Sequence, residues 1–273
     1  MGPRSKYWWK GTLARVVIAT AVGFVIFGPL LGTLLWSFAL KWYWPSPLPQ
    51  EFGLKYWANA LSGRSQVLDA LSVSLLIALV VVAIALVVSV PAGYALARLN
   101  VPWKRILLVL FLMPQAFPQL PVFINMSSIL YRLNVAGTVT AVIAAHLVVS
   151  LVYSVWITTA TFKAVPAILE DAAVNLGASR VRAFFRVTLP LAVPGLIASA
   201  IFVFLNSLDE FTGTFFVGAP YVQTLPILMY TASMGYNMQT ASVIAIMLTI
   251  PSLAFMAVLE RFLKAEYIRG LGV

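Results

Sequence analysis

Six separate stretches of mostly apolar residues constrain this chain more than anything else in it. They cover residues 16–40, 71–97, 106–130, 138–159, 191–211 and 241–263. A helix needs about 20 apolar residues to cross the hydrocarbon of a bilayer. Inside lipid the backbone must satisfy its own hydrogen bonds, which leaves helices as the natural spanning form for stretches of this length. The expected fold is therefore an all-α polytopic membrane protein with six transmembrane helices. Composition agrees: 62% of the 273 residues are hydrophobic and 10% are charged, whereas a soluble domain carries about 25% charged residues. The first stretch follows a basic start, as a signal peptide would. It is too long for a simple signal h-region and shows no convincing small-residue cleavage site, so it reads as a retained first helix.

Lys and Arg placement orients the spans, because positive charge stays on the cytoplasmic side. Arg4, Lys6, Lys10 and Arg15 precede the first span, and Arg98, Lys104 and Arg105 lie between the second and third. Lys163, Arg180, Arg182 and Arg186 lie between the fourth and fifth; Arg261, Lys264 and Arg269 follow the sixth. With six spans these fourteen fall on one side, against Lys41, Lys55, Arg64 and Arg132 on the other. Both termini are expected in the cytoplasm: an N-terminal segment 1–14, a transmembrane domain 15–265 and a tail 266–273. The net charge of +10 is then orienting charge rather than a nucleic-acid surface. With no cysteine and one histidine, His146, the chain has neither a thiolate nor a multi-histidine metal site. It has no G-x-x-x-x-G-K-[ST] phosphate loop, so no ATP binding by that route is expected, and no enzyme activity of its own.

The loops punctuate this plan. Pro45-Ser-Pro-Leu-Pro-Gln50 ends the first span, since closely spaced prolines remove amide donors, and Tyr56–Leu61 can form a short interfacial helix. The third span holds Pro114, Pro118 and Pro121 beside Gln115 and Gln119. The prolines predict a kinked or broken helix. The two glutamines, four apart, are expected on one face, either lining a pathway or bonding neighbouring helices.

The segment 162–190 carries the most specific signal. Pro166 suits a first helical turn, and Glu170 and Asp171 sit near its positive end. Gly177 can take the left-handed conformation that stops a helix, Ser179 can cap the next, and Pro190 limits it while opening the fifth span. Two short helices joined at a glycine are predicted, with small Ala172 and Ala173 on the surface, a shape suited to docking in a groove.

This segment resembles the EAA loop of ABC importer permeases: Glu-Ala-Ala, three residues, Gly, nine residues, then Ile-x-Leu-Pro. Here Asp171-Ala172-Ala173 is followed after three residues by Gly177, and after nine more by Val187-Thr188-Leu189-Pro190. Asp171 replaces the family's glutamate and Val187 its isoleucine. Val90-Pro-Ala-Gly-Tyr-Ala-Leu-Ala-Arg98 looks like the end of the second span in the same permeases, so the likeness extends over about residues 15–265. It implies a type I ABC importer permease in a bacterial inner membrane, with Glu170, Asp171, Ala172, Ala173, Gly177, Leu189 and Pro190 coupling it to an ATPase. The implied partners are an ATP-binding subunit dimer, a second, related permease chain, an extracytoplasmic solute-binding protein and the bilayer. ATP and Mg enter through the ATPase, and no nucleic acid is involved. Within the family, Asn206-Ser-Leu-Asp-Glu-Phe211 and Thr224-Leu-Pro-Ile-Leu-Met-Tyr230 are similar to spermidine and putrescine permeases, which implies a polyamine or similar cation. Iron, thiamine and phosphonate permeases share parts of the pattern and are the alternatives. An ATP-independent channel or secondary transporter would leave the hairpin unexplained.

Asp209 and Glu210 are the acids that fall within the predicted spans, apart from Glu260 at the end of the sixth. An ionised side chain at the bilayer centre costs about 2.5–3.5 kcal/mol on insertion scales. The pair is therefore expected either to draw a cation down a pathway, with Gln115 and Gln119 as further candidates, or to lie where the fifth helix ends. His146 is expected as an interhelical hydrogen-bond partner.

Overall fold

The computed structural model describes residues 8–63 and 65–270. Arg4, Lys6 and Arg64 of the charge count, and the side chains of Lys10, Glu260, Arg261, Lys264 and Arg269, lie outside the described residues. In chain order the elements are α1 (Trp8–Phe38), β1 (Ala39–Lys41), β2 (Glu51–Phe52), α2 (Lys55–Ala60) and α3 (Gln66–Arg98). Then come α4 (Lys104–Ala116), α5 (Gln119–Arg132), α6 (Val139–Ala164), α7 (Ala167–Asn175) and α8 (Arg180–Ala183). A π-turn (Phe184–Thr188) leads into α9 (Leu189–Leu208), followed by α10 (Thr212–Val217), α11 (Leu225–Met234) and α12 (Met238–Gly270). Among the described residues five helices are long and apolar enough to cross a membrane, and six spans result if α4 and α5 together count as one. The all-helical expectation holds, with one two-stranded ribbon added.

The chain forms two compact units, one of residues up to Ser65 with Met229–Met247, the other of Gln66–Leu228 with Leu248 onward. In the first, α1 turns apolar side chains outward along its span, as lipid requires. β1 and β2 pair antiparallel, with Ala39 opposite Phe52 and an exposed Lys41–Glu51 ion pair at 2.6 Å.

The second unit is organised around α3, α6 and α9, which pack against one another. Ile77, Val81, Ala85, Val142 and Val203 are fully buried between them. Since lipid is as apolar as leucine, close contact and hydrogen bonds hold spanning helices together. Both are present. A Cβ on Gly93 would come within 2.5 Å of Thr158 Oγ1, so only glycine lets α3 approach α6 there. Ser154 Oγ donates to Ser89 Oγ at 2.7 Å and lies 3.1 Å from Ser199 Oγ, which laces all three helices.

The third span breaks where its prolines predict, and three other placements differ from the sequence expectation. The third span is broken: α4 and α5 meet at 93°. Phe117 is extended (φ −94, ψ 146), as a residue before proline prefers, and Pro118 opens α5. Gln115 and Gln119 consequently sit on different helices rather than on one face. The fifth helix ends at Leu208, leaving Asp209 and Glu210 past its last turn. Finally, α8 does not stop before Pro190 but runs through the π-turn into α9. Leu189 N–H reaches back five residues to the Phe184 carbonyl. The wider turn thus delivers Pro190, which lacks an N–H, to the first turn of α9, where none is needed.

Candidate functional site

The hairpin is built from local signals. Pro166 caps α7, and the helix stops at Gly177, whose φ is +92°. Gly177 N–H bonds the Val174 carbonyl at 2.9 Å and Ala178 N–H the Ala173 carbonyl at 3.0 Å, the paired bonds of a Schellman C-cap. Ser179 Oγ then accepts from Arg182 N–H at 3.3 Å and starts α8.

What fixes this hairpin is not local. The Glu170 carboxylate accepts hydrogen bonds from Tyr94 Oη and, at 2.9 Å, from Thr188 Oγ1. Arg98 Nε faces it at 3.5 Å, an ion pair longer than a hydrogen bond, while an Arg98 Nη donates to the Val165 carbonyl at 2.5 Å. Both charged side chains are mostly buried, at 13% and 14% exposure. Around them Tyr94, Phe162 and Phe184 contact one another edge-on or tilted, with centroids 4.8–6.0 Å apart. One carboxylate thereby joins α7 to the end of α3 and to the turn that opens α9. Arg98, Tyr94 and Thr188 were not among the candidate residues. A basic residue at the end of a span, with the two acids Glu170 and Asp171 in the next loop on the same side, is a signal that could have suggested Arg98.

The opposite face of α7 is bare. Ile168, Ala172 and Leu176, at four-residue spacing, form one exposed stripe; Ile168 is 74% and Leu176 90% exposed. Asp171 is exposed beside it, Ala173 and Leu189 are half-buried, and Pro190 is exposed. Between α7, α8 and the end of α3 lies a cleft of about 630 Å³ whose lining includes Arg98, Glu170, Asp171 and Arg180. The arrangement can do one thing mechanically: an apolar knob held by a partner on one side is locked to two spanning helices on the other.

The remaining candidates separate. Glu210 is buried, and its Oε1 accepts the Gly213 N–H at 2.8 Å, which organises the first turn of α10. Asp209 is exposed. Both lie past the end of the span. Although the Asp209 residue is exposed overall, partial desolvation of its carboxyl raises its pKa; deeper burial raises that of Glu210, where the Gly213 and Thr212 N–H groups pull partly back. Gln115 Oε1 accepts from Tyr153 Oη at 3.2 Å, and Gln119 is exposed at the start of α5. His146 is buried between helices, with Nδ1 2.7 Å from Ser207 Oγ and Nε2 2.8 Å from Thr214 Oγ1. Sequence reasoning missed α10, since its N-cap, Phe211, is not a residue type that signals a helix start. Among the described residues no group of three His, Cys, Asp or Glu could hold a metal ion.

The sequence pattern of the binding-protein-dependent transport system inner membrane component matches residues 89–265. A putative ABC transporter permease of Streptomyces antibioticus is 33% identical over 200 residues, covering 72% of this chain and 87% of that one. The putative 2-aminoethylphosphonate transport system permease PhnV of Salmonella paratyphi A is 29% identical over 257 residues, 93% and 96% of the two chains. The trehalose transport system permease SugB of Mycobacterium tuberculosis is 31% identical over 207 residues, 74% and 76%. A crystal structure of a bacterial ABC transporter that imports the acidic polysaccharide alginate has the same fold, with a TM-score of 0.72 at 15% identity, over 96% of this chain and 99% of that one.

Proposed function

This chain belongs to the binding-protein-dependent transport system inner membrane component family, and from that premise we propose that segment 162–190 is where an ATP-hydrolysing partner docks. The chain is a multi-pass, membrane-spanning permease component of an ABC importer. One observation carries the proposal: the exposed Ile168–Ala172–Leu176 stripe lies on a hairpin whose other side is tied through Glu170 to Arg98, Tyr94 and Thr188. A partner gripping the stripe moves α3 and α9 with it. Free energy from ATP then reaches the solute as a difference in stability between two arrangements of these helices.

In this reading the hairpin and both termini face the cytoplasm, where fourteen of the eighteen basic residues fall. The chain binds no cofactor itself, since ATP and Mg belong to the partner. A second permease chain completes the route, and an extracytoplasmic binding protein delivers a small polar solute. The expected polyamine branch is not supported by the relatives above whose names give a solute, 2-aminoethylphosphonate and trehalose. The acids do not favour it either, because Glu210 is engaged in its own turn.

The test is a double variant, Ile168→Asp with Leu176→Asp. The exposed stripe contributes nothing to folding, so the protein should insert at its normal level, while co-purification of the ATPase falls about tenfold or more. Undiminished co-purification would sink the docking assignment.

A further inference from the structure

We infer that Gln115, Tyr153, Phe202 and Asn206 form a contact surface for the transported solute, and that this solute is a neutral polyhydroxylated molecule such as a sugar. The inference rests on the importer reading above. Tyr153 on α6 and Phe202 on α9 bring their rings to 4.8 Å, tilted by 56°. Tyr153 Oη donates to Gln115 Oε1 at 3.2 Å, in the last turn of α4. One turn along α9 from Phe202, Asn206 Oδ1 accepts from Ser150 Oγ at 3.4 Å. Phe202 is 41% exposed, and Gln115, Tyr153 and Asn206 are half-buried. Two rings therefore form a partly open aromatic face with a carboxamide on either side of it.

Two independent features place water rather than lipid against this face. The oxygens of Gln115 and Asn206 are taken by Tyr153 and Ser150, but each carboxamide also carries an amino group that needs an acceptor, which hydrocarbon does not offer. Two residues beyond Gln115 the helix itself is interrupted at Phe117 and Pro118. Non-helical backbone at membrane depth is tolerated where protein or a water-filled cavity meets it. The chemistry of the face then selects its occupant. Flat rings cover the C–H face of a sugar ring, and each carboxamide both donates to and accepts from hydroxyls.

Charge narrows the choice further. Among the described residues the basic groups on α4 and α6 are Lys104 and Arg105 in the first turn of α4 and Lys163 in the last turn of α6. The nearest acids along α9 are Asp209 and Glu210, past its end, and Glu210 already accepts the Gly213 N–H. An anion on this face would leave water without a counter-charge, and a cation would meet only Asp209, exposed to water one turn past Asn206, whereas a neutral polyol needs neither.

The test uses the complete transporter, with its ATPase, second permease and binding protein, in proteoliposomes. Trehalose, glucose, glycerol, spermidine and 2-aminoethylphosphonate are offered one at a time. ATP-driven uptake of at least one neutral solute, and of neither charged one, is expected. For that solute Phe202→Ala and Asn206→Leu each lower uptake about tenfold, Phe202→Tyr keeps it within about twofold, and ATPase stimulation by the loaded binding protein is retained in all three. Uptake of spermidine or 2-aminoethylphosphonate, or of no neutral solute by a complex that still hydrolyses ATP, overturns the substrate class. Normal uptake by Phe202→Ala and Asn206→Leu, or joint loss of uptake, ATPase stimulation and assembled complex, makes the face a packing contact with the second permease or with lipid and overturns the site. A preparation that holds no ATPase and transports nothing contradicts the importer reading instead.

Discussion

Glu170 and Glu210 both sit near the start of a short helix, and they are held in opposite ways. Glu170 is gripped by side chains from two distant parts of the chain, Tyr94 and Arg98 at the end of α3 and Thr188 at the entry to α9. Glu210 is gripped by the backbone N–H of Gly213, three residues on. Burial does not distinguish them, since the Glu170 side chain is 13% exposed and the residue Glu210 8%. The sequence distance of the partners does. A carboxylate bound to remote helices passes displacement from one to another, whereas one bound to its own next turn only shapes that turn. The first belongs to a transmission and the second to a cap.

The largest effect expected from this contrast is at Glu170. Glu170→Ala leaves two hydroxyls without an acceptor and Arg98 without its carboxylate. Hydrogen bonds to charged groups contribute about 1.5–3 kcal/mol each, so ATP-driven uptake should fall by roughly a hundredfold while the protein still inserts. Glu210→Gln keeps an acceptor for the Gly213 N–H and should stay within about threefold of normal. If Glu210→Gln proves the more damaging in the same uptake assay, the contrast is reversed.

A smaller loss is expected at the hairpin tip. Gly177 has φ +92° and open space around it, so Gly177→Val meets backbone strain rather than a clash. A strain of about 1–2 kcal/mol for a side chain in the left-handed region corresponds to roughly a tenfold drop in uptake. Gly177→Asn, which tolerates that region, should recover most of it. Equal loss in both variants would show that size at the tip, not conformation, matters.

The smallest effect is expected at Asp209. It is exposed past the end of α9. Asp209→Asn should change uptake by less than about twofold at neutral pH. A severalfold loss of uptake with normal ATPase activity would return this acid to the solute route and revive a cationic substrate.

The regions also differ in how far the sequence exposes them. Gly177 and Ser179 were readable because their partners lie within five residues, and a backbone cap follows from residue type and spacing. The grip on Glu170 was not, because Tyr94 and Thr188 lie 76 and 18 residues away and meet it only once α3, α7 and α9 are packed. The third span falls between these cases. Its prolines announced a break, but the 93° angle depends on Phe117 and Pro118 leaving the helix together, which separates Gln115 from Gln119. The Tyr153–Phe202 pair was invisible for the same reason as the Glu170 grip: aromatic residues are frequent in apolar spans, and only packing selects the two that meet.

The central claim, that the α7 stripe is gripped by an ATPase while the Asp209 region is not, can be tested with single cysteines, since the chain has none of its own. Ala172→Cys and Asp209→Cys are prepared in the reconstituted complex and labelled with a maleimide in detergent, with and without the ATPase subunits. Both positions are exposed, so both should label rapidly without the ATPase. Bound ATPase should slow labelling at residue 172 by about tenfold or more and leave residue 209 unchanged. Equal labelling at residue 172 with and without the ATPase would contradict the account.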